Sequence, residues 1–153
     1  MARTTVDGVD GVRGLVGQHL GHSDWVDVPQ EQVGLFAEAT GDAQWIHVDA
    51  DRAKAESPFG GPVAHGFLTL SLIPMLVPQI LEVTGFRMGV NYGLEKVRFP
   101  SPVPVGSRIR AGAVLDSAAP IDGGVQLVVT VTVEVEGGTK PAMVATTVSR
   151  RYL

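Results

Sequence analysis

The chain contains no cysteine among its 153 residues. Disulfide bonds, thiolate metal sites and a cysteine nucleophile are therefore excluded, and the composition is compatible with a reducing compartment such as the cytosol. An uninterrupted membrane-spanning run is also missing, because Pro74 and Pro78 divide the most apolar stretch and the N-terminal residues show no signal-peptide pattern. These absences predict a cytoplasmic protein that does not cross a membrane.

Several motifs that carry chemistry are absent as well. The sequence has no glycine-rich phosphate loop, no His-Glu-x-x-His and no Gly-x-Ser-x-Gly. Its four histidines, His19, His22, His47 and His65, do not follow a metal-ligand spacing. His19 and His22 flank Gly21 in a predicted loop, which favours a surface role for both. We therefore expect no metal site and no bound cofactor.

The net charge of −4 is unevenly distributed along the chain. Residues 1–85 hold 11 acidic and 4 basic side chains, whereas residues 86–153 hold 5 acidic and 8 basic ones. An acidic chain whose basic region has few aromatic residues is not typical of a nucleic-acid-binding protein. Five of the later bases lie within 24 residues and fit either a solvated sheet face or a site for an anionic group: Arg87, Lys96, Arg98, Arg108 and Arg110.

Length and residue pattern predict one domain with a late antiparallel sheet. The chain, 44% hydrophobic, is long enough for one well-filled core and too short for two ordinary domains. We predict a single domain over residues 1–153, with residues 1–21 as a helical or loop-like extension. Valines alternate with polar residues from Val128 to Glu136, which indicates a half-buried strand. Similar segments at 86–99, 107–118 and 142–153 complete a predicted four-strand meander, and "DWVDV" is predicted to add an edge strand.

Two helices are predicted before this sheet. The first runs from about Pro29 to Ala39, since proline suits a first helical turn and Gly41 suits a helix end. The second lies in the apolar segment "GPVAHGFLTLSLIPMLVPQILEVTG", where Pro74 predicts a kink or a break. One apolar helix covered by an antiparallel sheet is an α+β arrangement.

Asp42 and His47 lie five residues apart in "TGDAQWIHVD", just after the first predicted helix. On a regular helix this spacing turns the two side chains roughly 140° apart, and on a strand they point to opposite faces. Only an irregular loop would bring them together. Taken alone, Asp42 also fits a turn that follows a helix and His47 a half-buried loop histidine, so catalytic and structural interpretations both stay open.

The residues around this pair resemble a known family. "FAEATGDAQWIHVDADRAKAESPF", residues 36–59, is similar to the signature of the MaoC-like (R)-specific enoyl-CoA hydratases and dehydratases, in which Gly-Asp is followed after four residues by His. "GPVAHGFLTLSLIPML" and "NYGLEKVRFPSPVPVGSRIR" resemble the central helix and the following strands of that family. The resemblance covers residues 22–153 and is greatest for the NodN-like branch.

The resemblance implies a hotdog fold, in which a curved antiparallel sheet surrounds a long central helix, and a homodimer. It also implies that Asp42 and His47 form a catalytic dyad and that the backbone N–H of Gly66 lies in an oxyanion hole. A tight turn is the other reason for a glycine at that position. Where the family often has Asp-x-Asn-Pro-[Ile/Leu]-His, this chain has Gln44 and Trp45, which are expected near the site, where they alter the loop shape and acyl selectivity.

The implied reaction adds water to a trans-2-enoyl-CoA to give an (R)-3-hydroxyacyl-CoA, or reverses that step, with Asp42 and His47 sharing one water. Which of the two takes the water proton is left open. Ser71 matches a serine that family members place near the site, with a core serine bonded to its own helix as the alternative. His65 is interpreted as a structural or supporting residue. The phosphates of coenzyme A would be bound by bases on two predicted strands: Lys96, Arg98, Arg108 and Arg110.

Two other functions stay open. A hotdog thioesterase would hydrolyse the thioester, although such enzymes generally place the catalytic carboxylate elsewhere and do not need a Gly-Asp-x₄-His loop. A non-catalytic subunit that binds acyl thioesters or a partner is the third class, which the retained Asp42 and His47 argue against. The expected substrate is an acyl-CoA, with an acyl-carrier-protein thioester as the other carrier, and no nucleic-acid or membrane partner is expected.

Overall fold

The computed structural model describes residues 2–153 of the chain, and within them all the helices precede the long strands, as predicted. The helices are α1 (Gly8–Arg13), α2 (Gln30–Thr40), α3 (Trp45–Val48), α4 (Ala50–Glu56), α5 (Gly66–Ser71) and α6 (Ile73–Leu76), followed by a 3-10 turn (Val77–Gln79). The strands are β1 (Thr4–Asp7), β2 (His19–His22), β3 (Val26–Asp27), β4 (Leu81–Thr84), β5 (Met88–Arg98), β6 (Arg108–Ile121), β7 (Gly124–Val135) and β8 (Pro141–Tyr152).

The main sheet has six strands in the order β2-β6-β7-β8-β5, with β3 also paired to β6. Strands β6, β7 and β8 form an antiparallel meander, and the alternating valines of β7 face inward, with Val129, Val131 and Val133 buried. The prediction that the segment 86–99 would begin the same meander is wrong. That segment forms β5, which lies beyond β8 at the edge of the sheet.

The connection between β5 and β6 explains this position. Residues 99–107 contain three prolines, which cannot donate backbone hydrogen bonds to a tight hairpin. The connection instead runs beside the segment before α5, where the Ala64 N–H donates to the Val103 carbonyl over 2.8 Å. β5 therefore pairs with β8, for example Val97 with Ala145.

Helices α5 and α6 and the 3-10 turn form one broken helix that packs against the inward face of the sheet. The predicted break near Pro74 is confirmed, since α5 ends at Ser71 and α6 begins at Ile73. The buried side chains of this helix recur every four residues, as expected for one helical face. They join the inward-facing residues of β6, β7 and β8 in a single core, and none is more than 9% exposed: Leu68, Leu72, Leu76 and Ile80.

The N-terminal residues contain more strand than predicted. β1 pairs in parallel with β4, with Thr4 opposite Leu81, and β2 pairs with β6. Between them, α1 buries Val12 completely in the core. The expected helical or loop-like extension over residues 1–21 thus contains the helix α1, but it also contains β1 and most of β2, strands of four residues that leave little periodic signal in the sequence. Within residues 2–153, no helix is long and apolar enough to cross a membrane.

Candidate active site

The loop that carries Asp42 begins where α2 ends. Gly41 has a φ of 84°, a left-handed conformation that glycine adopts without strain, and its N–H donates to the Ala37 carbonyl over 2.8 Å. This cap ends the helix within one residue of the predicted position and redirects the chain. Asp42 follows directly and is partly buried.

His47 lies on α3, a single helical turn, rather than in a fully irregular loop as predicted. Its N–H donates to the Gln44 carbonyl over 3.0 Å. Gln30 of α2 donates through Nε2 to the His47 carbonyl over 2.8 Å. Asp49 then caps α4 by accepting the Arg52 N–H over 3.1 Å. The turn is thus held from both sides, which fixes where the His47 side chain leaves the backbone.

The His47 imidazole has a defined tautomer. The residue is 7% exposed, and its Nδ1 lies 2.6 Å from the Val63 carbonyl oxygen. Because a carbonyl only accepts hydrogen bonds, Nδ1 carries a proton, and in the neutral imidazole Nε2 then keeps an unshared electron pair. His47 is therefore oriented with Nε2 available to accept a proton.

His65 connects the two predicted catalytic residues. Its Nε2 lies 2.8 Å from the Asp42 backbone carbonyl, to which it must donate. Its ring stacks on that of His47, with centroids 3.9 Å apart and planes inclined by 26°, and packs against Phe36 at 4.9 Å. His65 is 2% exposed, and its Nδ1 has no hydrogen-bond partner among the described residues. His65 therefore contacts both residues of the predicted dyad, an arrangement that no local sequence pattern indicates.

A cavity of about 340 Å³ opens beside His47. Gly66, the first residue of α5, lines it together with Phe59 and Phe99. A Cβ atom on Gly66 would lie 3.2 Å from carbons of the Phe99 ring. Gly66 does not have a positive φ, so the close approach of the Phe99 ring, rather than a tight turn, disfavours a side chain at this position.

Asp42, His47 and His65 each place one potential ligand atom within 4.8 Å of the others, a grouping that sequence spacing did not indicate. A carboxylate and two imidazoles are donors that suit a transition metal. However, an imidazole binds a metal through an electron pair in its ring plane, and stacked planes inclined by 26° do not converge at a metal–nitrogen distance of about 2.0–2.1 Å. The arrangement instead suits acid–base chemistry.

Three residues predicted near the site lie to one side of it. Neither Gln44 nor Trp45 is among the described residues that line the cavity. The Trp45 ring instead contacts the Arg52 guanidinium, which lies 4.3 Å from the centre of the ring. Ser71 donates its hydroxyl to the Phe67 carbonyl over 2.7 Å, as in the helix-bonded alternative, and lines a second cavity.

The bases predicted to bind phosphates divide into two pairs, Lys96 with Arg98 on β5 and Arg108 with Arg110 on β6. The β6 pair is engaged, because Arg108 forms an ion pair with Glu136 over 3.1 Å and Arg110 forms one with Glu134. The β5 pair is exposed, and neither member forms an ion pair within residues 2–153.

His19 and His22, predicted to be surface residues, lie on β2, at the opposite edge of the sheet from β5. Their ring centroids are 5.1 Å apart, over Gly112 of β6, where a Cβ atom would lie 3.2 Å from the His22 ring. Burial lowers the pKa of His22 below its usual 6.5, and the nearby Arg110 and His19 lower this pKa further.

The sequence is similar to that of known proteins over most of its length. Residues 12–138 match the family model described as MaoC like domain. Over 147 residues the chain is 52% identical to 3-hydroxyacyl-thioester dehydratase Z from Mycobacterium tuberculosis, which covers 95% of this chain and 97% of that protein. Over 136 residues it is 52% identical to Nodulation protein N from Rhizobium leguminosarum bv. viciae, which covers 85% and 82% of the two chains.

Solved structures show the same fold. The chain superimposes on the (R)-hydratase from A. caviae involved in PHA biosynthesis with a TM-score of 0.70 and 25% identity, over 88% of this chain and 94% of that one. The predicted hotdog fold is confirmed by this similarity.

Proposed function

This chain belongs to the MaoC-like dehydratase family, and we propose that it is a hydro-lyase that adds water to a trans-2-enoyl thioester, or removes water from the (R)-3-hydroxyacyl thioester. The observation that carries the proposal is the grouping of Asp42 with His47 beside a cavity that Gly66 also lines. The reaction needs a group that takes a proton from water, a group that delivers a proton to carbon, and a donor to the thioester oxygen. These three residues supply those groups.

The dyad acts on one water molecule. The free Nε2 of His47 and the carboxylate of Asp42 both accept hydrogen bonds, so one water can donate to both. In hydration, the water oxygen bonds to C3 of the enoyl group, a water proton passes to the dyad, and the dyad delivers a proton to C2. All atoms of water remain in the product, and the dyad returns to its starting protonation state. Acid–base help of this kind typically contributes ~10²–10⁴-fold to the rate.

Gly66 donates to the negative charge that develops on the thioester oxygen. As the first residue of α5, it has an N–H group without a partner inside that helix. The Leu68 and Thr69 N–H groups, in contrast, donate to the His65 carbonyl over 3.1 and 3.2 Å. The loss of one such donor typically reduces kcat by ~10²–10³-fold.

His65 is a positioning residue in this proposal. Like Asp42, His65 is not among the described residues that line the cavity beside His47. Its ring and its Nε2 already contact protein groups, which favours a positioning role over a direct role in proton transfer. Its side chain holds the Asp42 backbone and packs on His47, while its carbonyl accepts the first hydrogen bonds of α5. One residue therefore sets the distances between the dyad and Gly66.

Coenzyme A is the proposed carrier, and Lys96 and Arg98 are the bases proposed to receive its phosphates. Both are exposed on β5, and Phe99 and Pro100, which follow them directly, line the cavity. Arg108 and Arg110 are less suitable because they already form ion pairs with Glu136, which follows β7, and Glu134 of β7. An acyl-carrier-protein thioester would use the same dyad and cavity.

A homodimer joined along β5 is the proposed assembly. β5 is the edge strand of the sheet, so one side of its backbone is free to pair with a second copy. It also exposes large apolar side chains that an interface would cover: Met88, Val90, Tyr92 and Leu94. Light scattering coupled to size-exclusion chromatography should give twice the chain mass, and Tyr92→Lys should shift the protein toward the monomer.

The proposed reaction is tested with purified protein and crotonyl-CoA, by following the loss of enoyl absorbance and the chirality of the product. We expect (R)-3-hydroxybutyryl-CoA from the wild type and a loss of at least ~10²-fold in kcat from both Asp42→Asn and His47→Asn. Asp51→Asn, which changes an exposed carboxylate of the neighbouring α4, is the matched control and should retain activity. Wild-type rates in both dyad variants would rule out the assigned roles.

The same assay separates the other two functions. Release of free CoA from a saturated acyl-CoA would indicate a thioesterase. Binding without turnover, across several chain lengths and with both CoA and carrier-protein thioesters, would indicate a non-catalytic acyl-binding subunit.

A further inference from the structure

A second cavity, of about 600 Å³, lies further along the broken helix than the first. One wall is apolar and comes from α6 and the 3-10 turn, including Ile73, Pro74 and Val77. The opposite wall comes from residues 89–94 of β5, the end of β8 and two residues of β7. Three of its β5 residues, Val90, Tyr92 and Leu94, also belong to the proposed dimer interface, so a second copy would border this cavity. Arg151 is the one charged residue among the described residues that line this cavity.

Arg151 has no acidic partner in the described part of the chain. None of the ion pairs or side-chain hydrogen bonds within residues 2–153 involves its guanidinium, and its Nε atom is buried without a partner. Arg150 differs, since it stacks on Tyr92 at 3.6 Å and donates to Gln126 over 3.0 Å. A partly buried cation without a counter-ion is unfavourable beside an apolar wall, so an anionic ligand would complete this site.

The backbone of β5 makes room for the Arg151 guanidinium. Gly89 is the ladder partner of Arg151, and a Cβ atom on Gly89 would lie 3.1 Å from Arg151 Cζ. A further pair along the same two strands is Asn91 with Ser149, and both residues line the cavity. A guanidinium, an amide and a hydroxyl on one face supply the donors that a carboxylate group accepts.

We propose that this cavity binds the far end of an acyl group that carries a carboxylate, so that the preferred substrates are thioesters of dicarboxylic acids. The inference rests on the proposed hydration and names its substrate class. Gly66 lines the first cavity, and the second begins at Leu70 on the same helix. Within α5, a helical rise of about 1.5 Å per residue puts Ser71, which lines the second cavity, about 8 Å from Gly66, and the wall at Ile73 and Pro74 follows directly, within reach of a medium-length acyl chain.

A phosphate of coenzyme A would offer the same charge to Arg151. It is attached on the opposite side of the thioester from the acyl chain, however, and a strongly hydrated phosphate gains nothing from the apolar wall at Ile73 and Val77. Methylene groups of an acyl chain do gain from that wall, because they leave water. The carboxylate of the acyl group is therefore the better occupant.

Two matched medium-chain trans-2-enoyl-CoA substrates test the proposal, one ending in a methyl group and one in a carboxylate. For the wild type, kcat/KM should favour the carboxylate-terminated substrate by about 10–100-fold, as expected for a charged hydrogen-bonded pair. Arg151→Met keeps an apolar stem but removes the charge, and it should abolish this preference while leaving the methyl-terminated substrate nearly unaffected. Gly89→Ala displaces the guanidinium without removing it and should reduce the preference. Arg150→Met is the control.

Three results would overturn the proposal. The first is a loss in Arg151→Met that affects all CoA esters and disappears with pantetheine thioesters, since Arg151 would then bind a CoA phosphate. The second is an equal loss of kcat/KM in Arg151→Met for both acyl chains, accompanied by a lower Tm that accounts for it. The third is a change in subunit dissociation without a change in substrate preference, which would place the counter-ion of Arg151 on a second copy of the chain.

Failure of the hydration proposal gives a different result. In that case neither substrate is turned over, and calorimetry with saturated acyl-CoA esters still decides the role of the cavity. Tighter binding of the carboxylate-terminated ester that is lost in Arg151→Met supports the proposal, and equal binding of the two esters refutes it.

Discussion

Replacement of His65 by two different residues separates its two contacts with the proposed dyad. In His65→Phe, a ring can still stack on His47 and pack against Phe36, but the hydrogen bond of 2.8 Å to the Asp42 carbonyl is lost. In His65→Gln, the amide nitrogen can still donate to that carbonyl, but the stacked ring is lost. The first variant therefore removes the donor, and the second removes the ring.

The expected effect is small on stability and large on rate. Loss of a hydrogen bond of this kind costs about 0.5–1.5 kcal/mol, and about 1–3 kcal/mol if the Asp42 carbonyl is left without a partner. For a chain of 153 residues, each kcal/mol lowers Tm by roughly 2–4 °C, so His65→Phe should stay folded during the assay. A misplacement of about 1 Å can reduce a rate by ~10²-fold. We expect kcat of His65→Phe to fall by about 10–100-fold with little change in KM.

Steady-state hydration kinetics and thermal unfolding in the same buffer make the measurement. His65→Gln should retain more of the wild-type kcat than His65→Phe, because the donor to Asp42 is the contact that fixes the carboxylate. Leu72→Ala, on the same buried helix, should lower stability by about 2–5 kcal/mol without a comparable loss in kcat, which controls for destabilisation alone. Wild-type kcat in His65→Phe would refute the positioning role, as would a loss that the unfolded fraction accounts for.

Three further predictions concern other groups. Gly66→Ala should lower kcat at least ~10-fold, because the new methyl group meets the Phe99 ring at 3.2 Å and shifts the proposed donor, whereas Gly34→Ala, with nothing within 4 Å, is the control. A chelator should leave the hydration rate unchanged, because the His47 and His65 rings do not converge on a metal. A loss of activity with EDTA that zinc restores would contradict this reasoning. Folding stability should fall as pH drops below 6.5, because burial, Arg110 and His19 lower the folded-state pKa of His22 and the unfolded chain binds the proton first. Urea unfolding should show the full stability above pH 6.5 and a decline below it, and the part of this decline that comes from His22 should be absent from His22→Leu. Identical pH profiles for the wild type and the variant would disprove the contribution of His22.

The sequence predicted those parts of the fold whose causes are local. The alternating valines of β7, the glycine that ends α2 and the proline that breaks the central helix all act on neighbouring residues, and each element lies close to its predicted position. The partners of β1 and β5 could not be predicted in this way. β1 pairs with β4 and β5 with β8, segments far apart along the chain, so burial of the whole core selects these pairs rather than any local pattern.

The candidate site likewise has residues that a local sequence pattern indicates and contacts that depend on segments far apart in the chain. A local Gly-Asp-x₄-His pattern indicated Asp42 and His47. The contacts that orient them are not local, because the His65 side chain reaches a carbonyl 23 residues earlier and the Val63 carbonyl is 16 residues from His47. The bases of β6 looked suitable for phosphates because alternate residues share a strand face. Their acidic partners lie at the end of β7 and directly after it, and they became evident only when the two strands were paired.

The hydrogen bonds that hold this loop do not depend on the Asn-Pro that the family often has where this chain has Gln44 and Trp45. The hydrogen bonds that position His47 come from the Gln30 side chain and the Val63 carbonyl, and neither uses a side chain at 44 or 45. Gln44 contributes its carbonyl to the α3 turn, which any residue provides, and Trp45 packs against an arginine of α4. The fixed φ of proline is therefore not needed to bring the dyad together. Acyl selectivity should then depend on the walls of the two cavities rather than on Trp45.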